Sequence, residues 1–280
     1  MSVEIIPLSD TLGAEIRGVD LSKPVEPVTA GILNDAFVEH ILLLFRGQSF
    51  SDERSLLRSA DWLGSTAKIT MPGNKFGEDG ESIHLISNIR DERGVPIGDL
   101  GDSDLFYHHD NAFTEDPDKA TYLWAVELPT HGGNTLFGNC YSAYESLPDR
   151  LRRKIEGRRV LHVYDYNVNQ RPSKARLAEM PQAWHPSVIV HPVTGRKALY
   201  VNRLMTAAIE GYEEAESEAL LEELFPYVER EDYRLEWQLG DYIIFDNLAQ
   251  VHARTEFPAD QRRLLKRGKV TGEPTVAAAG

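Results

Sequence analysis

Residues 242–254 of this 280-residue chain read YIIFDNLAQVHAR. The first four residues are aromatic or β-branched, and runs of this kind favour a strand that is buried within a sheet. The Asp246-Asn247 pair that follows favours a tight turn. The segment therefore predicts a buried strand and a sharp turn, with His252 a few residues beyond it.

Similar short apolar runs fill the second half of the sequence. From about residue 83 they read SIHLISNI, ATYLWAVEL, RRVLHVYDYN, SVIVHP, KALYVN and LLKRGKV, and turn signals such as HGGN separate several of them. Many short strands with few long helices favour a mainly β fold with flanking helices, a β-sandwich or a jelly roll. Because the sequence has no repeat or linker-like tract, we expect a single domain over residues 1–280.

Apolar residues at helical spacing predict four helices and one further strand outside these runs. The helices are expected over 28–40, 53–63, 141–157 and 215–225. Between the first two, ILLLFRG predicts a buried strand that ends at Gly47. We expect all four helices to pack outside the strands.

Charge and cysteine content limit the classes of function. The 30 Lys and Arg residues against 44 Asp and Glu give a net charge of −14, which disfavours nucleic acid and anionic membranes as partners. The only cysteine, Cys140, excludes an intramolecular disulfide and a cysteine-based zinc site. With no signal-like N-terminus and no long apolar run, we predict a cytoplasmic enzyme for a small molecule, and we leave a homo-oligomer open.

Residues 106–110, FYHHD, predict a metal site. Side chains two apart on a strand share a face, so His108 and Asp110 can hold one ion while His109 points the other way. His252 is the best candidate for a third ligand. Two histidines and one carboxylate on one face of the metal leave positions open for O2 and a second ligand, as in non-haem iron oxygenases.

A basic cluster, QRRLLKR at 261–267, stands out in this acidic chain. On a strand, Arg263 and Arg267 share one face, and two guanidinium groups on an inward face favour carboxylate ligands. A dicarboxylate such as 2-oxoglutarate could bind iron at one end and Arg263 at the other, with help from the Thr135 hydroxyl. The alternative is a solvated charge run on an edge strand.

Several motifs together resemble the taurine dioxygenase-like (TauD/TfdA) family of Fe(II)- and 2-oxoglutarate-dependent oxygenases. In the family's order they are LGAEIRGVDL, ILLLFRGQ, HHD before AF, ELPTHGGNTLF with AYESLP, ALYVNR, and LGDYIIFDNLAQVHAR followed by QRRLLKR. The resemblance implies a double-stranded β-helix, which is a jelly roll, and a reaction with O2 that releases succinate and CO2. The retained Asp110 favours hydroxylation, desaturation or cyclisation, because related halogenases replace this carboxylate with a small residue.

The resemblance also implies roles for individual residues. It aligns His108, Asp110 and His252 with the iron ligands, and Thr135 and Arg263 with the residues that bind the far carboxylate of 2-oxoglutarate. The family usually has tryptophan before the first histidine, where this chain has Tyr107.

The substrate is less well defined by the resemblance. Arg267 aligns with the arginine that binds an anionic headgroup, and Phe245 with an aromatic near the iron. The taurine enzyme takes a histidine and a tyrosine from a segment that corresponds to KITMPGNKFGED here, which has neither. Taurine is therefore disfavoured, and we expect an anionic or amino-acid-like molecule. Further candidates for substrate contacts lie before or at the triplet: Asn88, Asp104 (which would suit an amine) and Tyr107.

Two other classes of function fit parts of the pattern. A metal-dependent hydrolase or isomerase on the same fold would use the triad but needs no dicarboxylate site, so Thr135 and Arg263 disfavour it. A non-catalytic binding protein would not need both the triad and the basic pair. The segment around residues 94–101 includes most of the glycine-containing sequence VPIGDLGD. Its glycines suit either a lid hinge or an ordinary surface turn.

Overall fold

The computed structural model describes residues 2–66, 83–164, 166 and 174–278. Most of its regular structure consists of short strands. The strands are β1 (Glu4–Pro7), β2 (Ala14–Arg17), β3 (Leu42–Phe45), β4 (His84–Ser87), β5 (Asp99–Leu100), β6 (Leu105–His108), β7 (Ala120–Glu127), β8 (Thr135–Asn139), β9 (Arg159–Val163), β10 (Gln182–Pro186), β11 (Val188–Val190), β12 (Lys197–Leu199), β13 (Thr206–Ile209), β14 (Tyr233–Leu235), β15 (Tyr242–Asp246), β16 (Gln250–Arg254), β17 (Leu264–Val270) and β18 (Val276–Ala277).

The helices are fewer and lie between the strands in the chain. They are α1 (Pro27–His40), α2 (Glu53–Arg58), α3 (Cys140–Glu145), α4 (Asp149–Ile155), α5 (Lys174–Leu177) and α6 (Glu214–Val228). None of the helices in the described ranges combines the length and apolar character that crossing a lipid bilayer requires.

The larger sheet has the strand order β1-β2-β3-β15-β7-β17-β4-β5. Strand β3, an interior strand of this sheet, is buried along its whole length. Leu42 and Leu44 face the inner core, whereas Leu43 and Phe45 pack in a second cluster on the outer side of the sheet. A strand with both faces covered must be apolar at every position, which explains the unbroken run LLLF.

A smaller sheet with the order β14-β8-β16-β6 covers the inner face of the larger one. The ring of Phe137 on β8 lies 5.6 Å from that of Phe245 on β15, so side chains of the two sheets meet in one core. Two facing sheets of this kind form a jelly roll. The mainly β fold with flanking helices that the sequence predicts is therefore confirmed.

Helices cover the outer face of the larger sheet, and two small sheets extend the inner core. Leu33 and Phe37 of α1 share a cluster with Tyr242 and Ile244 of β15. The small sheets have the orders β10-β9-β13 and β12-β11-β18. Both faces of the larger sheet are therefore covered by other parts of the chain.

Two predicted helices differ from the observed ones. The helix expected over 141–157 is broken into α3 and α4, because α3 ends at Glu145 and Pro148 precedes the first residue of α4. Proline has no backbone N–H to continue a helix but suits the start of one. The helix expected over 53–63 ends at Arg58, where Ser59 bonds to Leu56 and the chain continues as turns. The single-domain assignment stays a prediction.

Candidate metal centre

The three predicted metal ligands come together on two neighbouring strands of the smaller sheet. His108 is the last residue of β6, and it lies directly opposite His252 on β16. Asp110 follows two residues later, and the ligand atoms of the three side chains lie within 4.8 Å of one another. All three are buried, with 4–8% of their surface exposed.

Hydrogen bonds fix the orientation of the first histidine. The Nδ1–H of His108 donates to the carbonyl of Phe106 at 2.9 Å, because a carbonyl can only accept. His108 Nε2 lies 3.8 Å from Asp110 Oδ1. A ring held through one nitrogen presents the other nitrogen in a fixed direction, which is the usual arrangement of a metal-binding histidine.

Asp110 is held by a short chain of neutral side chains that the sequence did not reveal. The hydroxyl of Thr121 donates to Asp110 Oδ2 at 2.6 Å, and Thr121 in turn accepts a bond from Asn247 Nδ2 at 3.0 Å. Asn247 belongs to the Asp246-Asn247 turn between β15 and β16. The turn therefore does more than reverse the chain, since it orients the carboxylate through Thr121.

The other carboxylate oxygen of Asp110, Oδ1, forms an ion pair with Arg267. The guanidinium of Arg267 lies 3.3 Å from it. Burial would raise the pKa of Asp110, but the charges of Arg267, His252 and His108 outweigh it and hold that pKa well below its ordinary range. Burial lowers the pKa of His252 to about 3, and His108 adds to this shift. A carboxylate beside two imidazoles is a donor set that fits a divalent metal.

A cavity beside the triad contains three buried arginines, and we call it the arginine chamber. Its lining includes Ile86, Leu105, His108, Asp110, Leu123, Thr135, His252, Arg254, Arg263, Leu265 and Arg267. Arg263 is 2% exposed and donates to the carbonyl of Gly133 at 3.1 Å. A Cβ on Gly133 would lie only 3.0 Å from Arg263 Nε, so glycine in HGGN leaves room for the guanidinium.

Thr135 has a partner that sequence reasoning missed. The indole N–H of Trp237 donates to Thr135 Oγ1 at 3.0 Å. Because the oxygen is thereby used as an acceptor, its own hydrogen can be donated to another group in the chamber. Trp237 carries no charge and reaches the chamber through one hydrogen bond, so no motif marked it.

A second cavity, the His84 chamber, lies beside His108 and Asp110. It shares Leu100, Leu105, His108, Asp110 and Arg267 with the arginine chamber and adds His84, Asp99, Asn111, Phe113, Tyr164, Leu204 and Met205. Arg267 donates to His84 Nδ1 at 2.6 Å, and His84 Nε2 lies 2.6 Å from Asp99. Burial lowers the pKa of His84 to about 4, Arg267 adds to the shift and Asp99 opposes it.

The other predicted substrate contacts lie elsewhere. Phe245 packs on His252, with 4.7 Å between ring centroids. Asn88 bonds to the backbone of Arg263 and of Gln261 instead of lining a chamber. Tyr107 packs against the inner core from the opposite side of β6, and Asp104 is exposed. The stretch KITMPGNKFGED lies outside the described residues.

Histidines also cluster behind β6, and we call His109, His162 and His185 the back histidines. Their rings pack with Tyr200, and their hydrogen-bond partners include Cys140, Asn202, Thr206 and Thr275. In the described part of the chain, only the triad on the front of β6 forms a group of metal-binding atoms. The predicted reversal of His109 relative to His108 agrees with the structure.

Comparison with known proteins gives one consistent result. The family model for taurine catabolism dioxygenase TauD, TfdA family matches residues 4–268. Pentalenolactone F synthase of Streptomyces avermitilis is 33% identical, over 95% of this chain and 93% of the relative. The α-ketoglutarate-dependent sulfate ester dioxygenase of Pseudomonas putida is 30% identical, over 100% of this chain and 93% of the relative.

A solved structure agrees with these relatives. AAD-2 in complex with Mn(II) and N-oxalylglycine has a TM-score of 0.82 and 26% identity, and the match covers 99% of this chain and all of that one. These similarities support the oxygenase interpretation and not the hydrolase or isomerase alternative. The chain belongs to the taurine catabolism dioxygenase TauD, TfdA family and is an Fe(II)- and 2-oxoglutarate-dependent dioxygenase.

Proposed function

We propose that the buried triad binds Fe(II), and that Arg263 and Thr135 bind the far carboxylate of 2-oxoglutarate in the arginine chamber. The main support for this proposal is the buried guanidinium of Arg263, which forms no ion pair with a carboxylate among the described residues. A buried charge without a counterion is costly, so the site favours an anionic ligand. Bound iron and 2-oxoglutarate supply the activation of O2 that oxidises the substrate.

The protein itself contributes the orientation of the metal-binding side chains and the exclusion of water from the chamber. Thr121 and Asn247 keep Asp110 in one orientation, while Phe106 keeps His108 in one tautomer. Apolar side chains such as Leu123 and Leu265 line the arginine chamber and exclude water from it. The triad is thus held before any ligand arrives, which lowers the cost of ordering it.

For the substrate, we propose a small anion with an apolar body that binds in the His84 chamber. Arg267 supplies the positive charge, and Phe113, Leu204 and Met205 supply an apolar wall. The relative from Pseudomonas putida is named as a dioxygenase of sulfate esters, which supports an anionic group on the substrate. An amino-acid-like substrate is less favoured, because Asp104, the group expected to bind an amine, is exposed and outside the lining.

The cosubstrate assignment is tested by an anaerobic titration of the Fe(II) protein with 2-oxoglutarate, followed by its visible charge-transfer band. Arg263→Met should weaken 2-oxoglutarate binding by about 10- to 100-fold, since a charge-assisted hydrogen-bond pair is lost. Arg262→Met is the matched control, because Arg262 is exposed and pairs with Glu127 on the surface. Equal affinities in all three proteins would remove Arg263 from the site.

The substrate class is tested by succinate release from alkyl sulfates, arylalkyl carboxylates and amino acids. We expect the first two groups to stimulate succinate formation and to yield oxidised product. Stimulation only by amino acids would contradict the proposed class while leaving the cosubstrate site intact.

A further inference from the structure

Arg254 is a second buried arginine of the arginine chamber that neither the motifs nor the proposed function uses. It is 7% exposed and lies two residues after His252 on β16, so both side chains point to the same side of the smaller sheet. Its pairing partner on β8 is Thr135. Residues opposite each other in an antiparallel pair have neighbouring side chains, which places Arg254 beside the proposed cosubstrate contact.

Half of the guanidinium has a structural role. Nη2 donates to the carbonyl of Leu100 at 2.6 Å and to the carbonyl of Ser103. These bonds tie the segment 100–103, which begins at the last residue of β5, to the strand that carries His252. The remaining nitrogens, Nε and Nη1, are buried and have no hydrogen-bond partner.

Arg254 and Arg263 lie close to the same aromatic ring and to each other's charge. Each guanidinium carbon is 5.6 Å from the centroid of Phe257. Burial lowers the pKa of Arg263 to about 9, and the charge of Arg254 adds to the shift. Asp102 and Asp104 act on Arg254 from a distance but form no ion pair with it among the described residues. Two buried cations with unpartnered N–H groups thus face one chamber, and neither is ion-paired with a carboxylate among the described residues.

We infer that Arg254 is a second guanidinium for the far carboxylate of the dicarboxylate cosubstrate, next to Arg263 and Thr135. This inference rests on the proposed function. One carboxylate has two oxygens and about four lone-pair directions, so it can accept from two guanidinium groups and a hydroxyl at once. Because Arg254 also holds segment 100–103, it links the cosubstrate site to the segment that borders both chambers through Leu100.

The test separates binding of the far carboxylate from a purely structural role. The affinities of N-oxalylglycine and of oxalate for the Mn(II) protein are measured by calorimetry. Both ligands can bind the metal through two oxygens, but oxalate has no far carboxylate. Arg254→Gln keeps a donor for the carbonyls of Leu100 and Ser103 and loses the charge, whereas Arg254→Met loses both.

We expect both variants to bind N-oxalylglycine about 10- to 100-fold more weakly and oxalate within about threefold of the unmodified protein. Unchanged N-oxalylglycine affinity in Arg254→Gln would overturn the inference, as would an equal loss for both ligands. If Arg254→Met does not fold, the glutamine variant decides alone.

Failure of the inference can be distinguished from failure of the proposed function. If Arg263→Met weakens N-oxalylglycine binding and Arg254→Gln does not, only Arg254 is misassigned. If Arg263→Met also has no effect, the whole carboxylate site is misplaced. Arg262→Met serves again as the exposed control and should leave both affinities unchanged.

Discussion

The two sides of β6 can be compared directly, because His108 and His109 are adjacent in the chain and point to opposite faces. Both are buried beside other histidines. On the front, Asp110 supplies a negative charge and the ligand atoms converge within 4.8 Å. On the back, neutral groups such as Asn202 and Cys140 surround His109. Histidine density alone therefore does not produce a converging donor set, whereas the front face adds a carboxylate to its two histidines.

The largest expected effect comes from a pair of single variants in which either His108 or His109 is replaced by glutamine. His108→Gln should weaken Mn(II) binding by at least about 100-fold, since a direct ligand is lost. His109→Gln should leave Mn(II) affinity within about threefold and lower the free energy of unfolding instead, because it disturbs buried packing. Mn(II) affinity is measured by calorimetry, and unfolding by urea titration. Equal loss of metal affinity in both variants would erase the distinction between the two faces.

The back histidines should make the metal-free protein sensitive to acid. Burial lowers the pKa of His109, His162 and His185 below the ordinary value of 6.5. Between that value and the lowered ones, the unfolded chain binds protons that the folded chain does not, so stability falls as pH falls below about 6.5. His162→Gln should flatten this decline by up to about 1.4 kcal/mol per pH unit.

Urea unfolding of the metal-free protein at a series of pH values between about 4.5 and 8 measures this slope. The control is His131→Gln, since His131 is exposed in a surface turn. A decline of the same steepness in His162→Gln would mean that His162 is already protonated in the folded protein.

The smallest of the three effects concerns the support of Asp110. Thr121→Val keeps the shape of the side chain but removes the hydroxyl that donates to Asp110 Oδ2. We expect metal affinity to fall by about 10-fold, the lower end of the range for groups that orient a ligand. Thr121→Ser retains the donor and should stay close to the unmodified protein. A tighter metal site in the valine variant would show that the hydroxyl competes with the metal for the carboxylate.

Alternation along strands made the centre of the site predictable from the sequence. The spacing of His108 and Asp110 placed both on one face, and the apolar run before the Asp246-Asn247 turn placed His252 close by. The same two-residue rule, applied to His252, points to Arg254, which the sequence reasoning passed over. An arginine followed by Thr-Glu resembles an ordinary charged surface segment until its burial is known.

The supporting residues could not be predicted in the same way. Thr121, Asn247 and Trp237 are neutral, and each acts through one hydrogen bond to a partner that is distant in the chain or in another sheet. Asp104 shows the opposite error, because its position close to the triplet suggested a pocket contact and its side chain is exposed. Asp104 lies before the first residue of β6, so the alternation of side chains along the strand does not predict which way it points.

The pairing of β3 with β15 inside the larger sheet has a consequence for how the molecule assembles. A strand from the first fifth of the chain finds its neighbour close to the other end, and β17 inserts between β7 and β4 later still. Such distant pairings slow folding, because long stretches of chain must close into loops first. During synthesis, His108 and Asp110 emerge well before His252 and Arg263, so a nascent chain cannot form a complete site. Affinity for iron and cosubstrate consequently arises only when the final sheet has closed, and both ligands favour the finished molecule over its partly folded precursors.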